Sequence, residues 1–484
     1  MLRADSRTAD EAPRTDLAPA EFRAAMHRAA DLVADYLERV GEYPVLPRVK
    51  PGDVRAQLPA SPPATGEPVD ALLADYQRLI EPNVTHWQHP GFFAYFGITG
   101  SGPGILGEVL AAGLNVNHML WKSGPAPTEL EETVTDWLRQ MIDLPPAFKG
   151  HINDTASMST MLGIAAARHR ASKGRSRAYG LAGSAPMTVY ASDQVHSSVD
   201  KACIALGIGQ AHLRRVPVDE NFRLKPDALS ALIAQDRHTG HMPIAIVATG
   251  GTTSATAVDP MRACAEIARR EELWLHADTA YAGSAAICPE FRALMDGLEL
   301  ADSIVVNPHK WLLTPVDCSV LFLKDPSVLR EAFTLTPEYL KSAETGVTNL
   351  MDLGPQLGRR FRSLKLWFVI RSFGVEGLRA IIRSHCAMAR EFAGWVEQEP
   401  GFEVCAPVPF STVCFRATPP DNLEEQNAFN ERLVNAVNAA GPVFMVQTKL
   451  GDKIVIRLAI GNARTRREHV ANAWELVRKT AQTL

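Results

Sequence analysis

Lys310 stands in surroundings that do not suit a lysine. The stretch from Ser303 to Leu323 reads S-I-V-V-N-P-H-K-W-L-L-T-P-V-D-C-S-V-L-F-L. Ile304, Val305 and Val306 read as a buried strand, Asn307-Pro308 ends it, and the apolar run from Ser319 to Leu323 reads as the next strand. A lysine lodged between two such strands loses solvent, which disfavours the ammonium and leaves a nucleophilic amine that can form an imine with an aldehyde. The plainer alternative is a stem lying along the core with its ammonium reaching water. A second residue weighs toward chemistry. Leu273 to Ala280, L-W-L-H-A-D-T-A, is a strand-like run whose polar end carries Asp278. A carboxylate at one strand end and a lysine after the next strand form the pair a pyridoxal phosphate enzyme needs. The lysine holds the aldehyde carbon, and the carboxylate keeps the pyridine nitrogen protonated.

Other stretches carry weaker signals. Asn153 to Arg168, N-D-T-A-S-M-S-T-M-L-G-I-A-A-A-R, leads short polar residues into an Ala-rich helix, so N–H groups and hydroxyls gather where a phosphate binds, although many helices start this way. Trp87 to Gly104, W-Q-H-P-G-F-F-A-Y-F-G-I-T-G-S-G-P-G, suits a ligand-facing wall and a buried loop equally well. Phe333 to Asn349 has no clear periodicity, and a polar loop of that length is often functional. His86 and His89 have an H-x-x-H spacing, but Pro90-Gly91 argues against one helix presenting both, and no thiol or carboxylate cluster accompanies them. No metal is expected.

The elements that must position these residues follow from the pattern. Strand-like runs at 187–191, 244–249, 273–277, 303–306 and 319–323 alternate with helical stretches such as Met261 to Glu271. That alternation predicts βαβ units and a mostly parallel sheet covered on both faces, with ligands at the strands' carboxyl ends. His196, Thr249, Asp278, Asn307 and Lys310 all fall just after such strands. Thr128 to Met141 reads as a capped helix of the scaffold. Upstream, Asp16 and Pro19 open a helix with Phe22, Met26, Ala29, Val33, Leu37 and Val40 at three- and four-residue intervals, stopped by Gly41. Downstream, a helix at 377–398, strands at 402–406, 412–416, 443–447 and 453–459, and helices at 424–439 and 466–483 read as a small α+β domain.

H-A-D-T-A-Y-A-G-S-A at 276–285, N-P-H-K-W-L-L at 307–313, S-D-Q-V-H-S-S-V at 192–199 and L-G-R-R-F-R-S-L-K at 357–365 together resemble the pyridoxal-phosphate-dependent aromatic amino acid decarboxylases, a group that includes glutamate and histidine decarboxylases. Four motifs in the same order are far more specific than one. The resemblance implies an α/β protein of fold-type I, the pyridoxal phosphate transferase-like fold. Its parts would be an N-terminal helical arm for dimerisation (1–100), a large cofactor-binding domain (101–376) and the small C-terminal domain (377–484). It also implies roles. Thr155, Ala156 and Ser157 meet the cofactor phosphate, with Asp154 turned away and capping the helix, and Asn307 and His309 contact the phosphate too. Thr249 lies near the cofactor, Ala280 packs beneath its ring, Asp278 binds its nitrogen, Lys310 holds it, and His196 stacks on it facing the substrate carboxylate. Tyr95, Phe96, Ile98 and Thr99 line the substrate pocket, while Asn117 and Met119 belong to a segment that reaches a neighbouring active site in a homodimer. Tyr339, on a lid, returns the proton after carbon dioxide leaves. Family members with phenylalanine there tend to make aldehydes, so the expected reaction is decarboxylation of an aromatic L-amino acid. An aldehyde synthase, a glutamate- or histidine-type decarboxylase and a non-catalytic homologue are the alternatives.

Composition bounds these readings. A chain of 484 residues, 46% hydrophobic, buries a large core and exceeds one ordinary domain. Its 50 basic and 54 acidic residues leave a formal charge of −4, which argues against nucleic acid or anionic membrane as main partner. The 7 cysteines are scattered without a C-x-x-C pair and read as reduced thiols. With no apolar leader and no apolar run near the ~20 residues that span a bilayer, the expectation is a soluble, cytoplasmic protein acting on a small amino acid.

Overall fold

Seven strands make the central sheet. The computed structural model describes residues 16–335, 344–419 and 422–484. Its large sheet comprises β1 (Lys149–Asn153), β2 (Met187–Ser192), β3 (Leu213–Val216), β4 (Met242–Thr249), β5 (Trp274–Asp278), β6 (Ser303–Val306) and β7 (Ser319–Leu323), in the order β1-β7-β6-β5-β4-β2-β3. Along β4, Ile246 and Ala248 enter one apolar core while Ala245 and Val247 enter another on the opposite face. Burial on both faces is why the strand reads as an unbroken apolar run.

β2 through β6 pair in parallel. β7 is the correction to the alternating pattern, because it runs antiparallel to both β6 and β1. The connection decides this. Only residues 307–318 join β6 to β7, and the single helical turn Pro308–Trp311 plus a return loop take them up, so no crossover helix carries the chain back. β1 and β3, K-G-H-I-N and L-R-R-V, escape the sequence reading because glycine and charge interrupt their apolar pattern. With β7 alone reversed, the carboxyl ends of β1, β2, β4, β5 and β6 share one edge. Ligands of such sheets bind along that edge.

The C-terminal sheet, β8 (Phe402–Val404), β9 (Thr412–Ala417), β10 (Val446–Leu450) and β11 (Lys453–Ala459), is antiparallel in the order β10-β11-β9-β8. Trp474 and Phe392 meet Phe415 edge to face, with centroids 6.1 and 5.2 Å away. β10 starts three residues later than its pattern predicts because Val443 and Met445 are buried in the approach to the strand. The long helix spans Ser363–Gln398, not 377–398. Gly374 breaks it at φ 61, ψ 173, a conformation open to glycine, and that break separates the periodicity of the two halves.

The chain divides into two compact units at His86/Trp87. In the first, Ala18 caps the helix Pro19–Arg39, whereas Asp16 accepts a bond from Leu17 N (2.7 Å). Phe22, Met26 and Val33 on this helix are exposed. His86 is bonded through Nδ1 to the Tyr36 hydroxyl (3.0 Å), and in the second unit His89 Nδ1 accepts from Gly91 N (2.8 Å). The scaffold helix starts at Pro125, since a proline fits the first helical position, and the Thr128 hydroxyl donates to Gly124 O (2.8 Å) instead of capping. Among the described residues, no helix is long and apolar enough to cross a membrane.

Candidate active site

Five strand ends converge on one cavity of about 160 Å³. It is lined by Thr155, Ala156 and Ser157 after β1, His196 after β2, Thr249 at the end of β4, Asp278 and Ala280 from β5, Asn307, His309 and Lys310 after β6, and Phe96. Two wider grooves, of about 730 and 880 Å³, lie along the helix Pro125–Met141 and at the amino ends of the strands. Neither includes Lys310 or Asp278, so size does not locate the chemistry.

An aromatic stack fixes the lysine. Lys310 Nζ lies 5.3 Å from the centroid of the Phe96 ring. Phe96 stacks on Tyr281 at 3.9 Å, Tyr281 stacks on Trp311 at 4.7 Å, and Trp311 Nε1 donates to His385 Nδ1 (3.0 Å). Trp311 and Lys310 share one helical turn, so holding the indole holds the amine. Loss of solvent lowers the Lys310 pKa, with the Asp278 carboxylate acting in the opposite direction. The neutral amine is thereby made more accessible.

Two histidine tautomers follow from backbone donors. Ser198 N donates to His196 Nδ1 (3.1 Å), and because a backbone N–H only donates, the neutral ring carries its proton on Nε2. Partial burial lowers the His196 pKa, Asp278 opposes this, and Lys310 adds to it. Cys318 N likewise donates to His309 Nδ1 (2.9 Å), which puts the proton of that buried ring on Nε2. Burial, then the neighbouring Lys310, lowers its pKa to about 3. His309 Nε2 lies 3.3 Å from the Asn307 side-chain amide. An Nε2–H donor faces that amide best through its oxygen, which turns the amide N–H groups toward the buried position left without a partner.

The substrate-side residues do not all gather here. Tyr95 is 49% exposed with φ 52, and its ring packs on Trp87 and Phe444 because the left-handed backbone turns it away from Phe96. Thr99 is buried against Gly461 O (3.4 Å), and Ile98 also lies outside the cavity. Gly97 allows a close backbone approach to Gly461, where a Cβ would meet its carbonyl carbon at 3.2 Å. Asn117 Oδ1 accepts from Arg359 N (2.9 Å) and its Nδ2 contacts Met119 Sδ (3.7 Å), so this pair stands apart from the cavity. Tyr339 lies outside the described residues. Asp154 does not cap the following helix, since its carboxylate accepts from Thr155 N (2.5 Å) and Gln356 Nε2 (3.3 Å). Thr155 takes the cap position and makes no side-chain cap bond.

Known proteins place this arrangement. The family profile described as "Pyridoxal-dependent decarboxylase conserved domain" matches residues 51–418. The chain belongs to the pyridoxal-dependent decarboxylases. It is 42% identical to tyrosine decarboxylase 3 of Petroselinum crispum, over 100% of this chain and 96% of that one. It is 41% identical to phenylacetaldehyde synthase of Arabidopsis thaliana, over 96% of both. A crystal structure of Oryza sativa TDC with PLP and tryptamine superposes with a TM-score of 0.94 at 39% identity, covering 98% of this chain and 99% of that chain.

The residues present fit the cofactor of this decarboxylase family, pyridoxal 5'-phosphate. Thr249 Oγ1 is buried at the cavity without a hydrogen-bond partner, and the turned Asn307 amide leaves its N–H groups at a second such position, as polar groups that await a ligand are. The first turn of the helix Ala156–Ala171 offers N–H groups that have no partner within the helix, beside the Thr155 and Ser157 hydroxyls. Ser198, Gly251, Thr253 and Tyr281 also line the decarboxylase cavity and were not singled out from sequence. Ser198 and Tyr281 each sit one or two residues from a residue that was, and that proximity was the available signal.

Proposed function

We propose that this chain decarboxylates an aromatic L-amino acid to the corresponding arylalkylamine, acting as a homodimer in the cytoplasm. The observation that carries this is the desolvated Lys310 amine enclosed with Asp278 and His196 in the cavity, read beside relatives called tyrosine and tryptophan decarboxylases. Bound pyridoxal phosphate supplies an aldehyde for the substrate amino group and a ring that takes up the electron pair left by departing carbon dioxide. Lys310 would anchor the cofactor and free the product amine from it. Asp278 would hold the proton at the pyridine nitrogen, and His196 would offer Nε2–H to the substrate carboxylate. The reaction balances as amino acid to amine plus carbon dioxide, with one solvent-derived proton placed on the α-carbon.

Tyr339 is assigned that proton transfer by the family resemblance. The competing product comes from the phenylacetaldehyde synthases among the relatives. Their route consumes dioxygen and water and yields aldehyde, carbon dioxide, ammonia and hydrogen peroxide. Incubation with tyrosine, tryptophan, phenylalanine and glutamate, followed by product identification, tests the reading. Amine from an aromatic substrate is expected, and peroxide with aldehyde would replace the proposal by the alternative. Tyr339→Phe is expected to cut amine formation roughly 10²–10⁴-fold, the usual worth of a positioned acid, and to leave aldehyde and peroxide as the main products.

Support for the dimer comes from an unpartnered apolar face. Leu106, Leu110 and Leu114, on one side of the helix Gly102–Leu114, are 59%, 52% and 62% exposed. Spaced by four residues, they form one stripe. The exposed Phe22, Met26 and Val33 of the N-terminal helix make a second. The 7 thiols, six of them buried, suit a reducing compartment. Leu110→Glu is expected to shift the chain from twice its monomer mass to monomer mass by light scattering, with activity falling alongside. An active monomer from the unmodified chain would remove the dimer from the proposal.

A further inference from the structure

Asp259 is a buried carboxylate with no role in the reaction as described. It is 1% exposed, and its two oxygens accept only from the backbone: Oδ2 from Thr249 N (2.8 Å) and Oδ1 from Leu224 N (2.8 Å). Its own N–H donates to Thr249 O (2.9 Å). Asp259 and Thr249 thus close the two ends of the loop 250–258 on each other. Inside the loop, Gly251 N and Thr252 N both donate to Ala257 O (3.0 and 2.9 Å). This closed loop forms one wall of the cavity, through Thr249, Gly251 and Thr253. The Thr249 hydroxyl, buried and unpartnered, belongs to that wall.

We propose that Asp259 is a positioning residue for the cofactor: its carboxylate clasps the loop 250–258 to the end of β4 and to Leu224, and so fixes the Thr249 hydroxyl in the wall of the cavity that would receive it. A carboxylate suits this task because it is an acceptor at both oxygens, and each oxygen meets an N–H that points from a different segment. Among the described residues no ion pair joins it. Of the two basic residues that flank Leu224, Arg223 and Lys225, Arg223 is paired with Asp219 (2.8 Å). Burial accordingly raises the Asp259 pKa to about 6, its two backbone bonds oppose the rise, and Asp219 and Asp193 add to it. The sign matters for the test. A raised carboxyl contributes stability that is present below its ordinary value near 3.8 and is lost as pH rises through about 6. At neutral pH the fold therefore keeps this charge against a penalty.

Asp259→Asn separates the two roles, because it removes the charge and replaces one acceptor with a donor facing an N–H. The proposal rests on pyridoxal phosphate as cofactor, so the apoprotein is measured first and the cofactor is then titrated back. Expected at pH 7.5 are an apoprotein melting temperature unchanged or raised, cofactor affinity weakened tenfold or more, and faster amide exchange in the peptide containing Thr249. In the Thr249→Ala background the same change is expected to add nothing to the loss of affinity, since the effect passes through Thr249. Asp259→Ala, which deletes both acceptors without adding a donor, is read in parallel in case the asparagine variant fails to fold. Unchanged affinity, an additive double variant, or an affinity loss tracked by a lower melting temperature would each overturn the proposal.

Discussion

Lys310→Ala, reconstituted with pyridoxal phosphate, is expected to lack the visible absorbance band of the wild-type chain and to turn over no aromatic amino acid. Lys310 is the one lysine among the described residues that line the cavity, so no second amine stands ready to take its place. The fold should survive. Tyr281 and Trp311, which hold the turn, keep their stack when the lysine stem is cut back, and the ammonium contributes to that turn through its contact with Phe96 alone among the aromatic rings. Removing a desolvated amine also removes a group that burial had penalised. Circular dichroism and the melting temperature should therefore match the wild type while the band is gone. Lys310→Arg sharpens the result, since a guanidinium keeps its charge and forms no imine with an aldehyde. A full band in either variant would transfer the lysine's assignment elsewhere in the chain.

The site was legible in the sequence where chemistry concentrates in short apolar contexts. Asp278 and Lys310 stood out because a charged residue at the end of a buried strand, or in a tight turn between two buried strands, has few structural reasons to be there. Thr155 to Ser157 and His196 gained weight only from the family motifs, because a helix start rich in small residues is common. The parallel sheet was legible from β2, β4, β5 and β6, whose runs are mostly apolar and wholly or almost wholly buried. β1 and β3 were not, because edge strands tolerate the glycine and arginines that blur their pattern. The direction of β7 was hidden as well, since a run of apolar residues is the same in either direction and only the short connection reveals the reversal. Tyr95 lies away from the cavity for a local reason. Its positive φ is a property of the folded loop, and neighbours in sequence then face opposite ways. Long-range clasps such as Asp259 with Leu224 and Glu131 with Arg359 leave no sequence trace, because their partners are separated by 35 and 228 residues.

Arg359→Ala is expected to destabilise the chain at pH 7.5 by about 3–5 kcal/mol, the cost of leaving a buried charge without its partner. Glu131 is 1% exposed in the helix Pro125–Met141. Its Oε1 accepts from Arg359 Nη2 (2.7 Å) and Ile152 N (2.8 Å), and its Oε2 accepts from His118 Nε2 (3.2 Å). The same guanidinium donates to Ile152 O (2.7 Å). Burial pushes the Glu131 carboxyl up, but Arg359, then His118 and the Ile152 N–H, outweigh it and bring the pKa down to about 2 from 4.5. The sign follows. A depressed carboxyl contributes stability that is complete above its ordinary value and is lost as pH falls from about 4.5 toward about 2. Urea unfolding should therefore separate wild type from Arg359→Ala widely at pH 7.5 and much less at pH 3. Replacing both partners, Glu131→Met with Arg359→Met, should recover much of the loss, because no unpaired charge remains. A double variant no more stable than the single one would rule out the charge as the cause. The network also fixes the approach to the site, because Arg359 N holds Asn117 and Ile152 immediately precedes the β1 residue Asn153. A loosened Arg359 variant should accordingly lose cofactor affinity before it loses its fold, the order in which urea titrations followed by cofactor absorbance and by circular dichroism would report it.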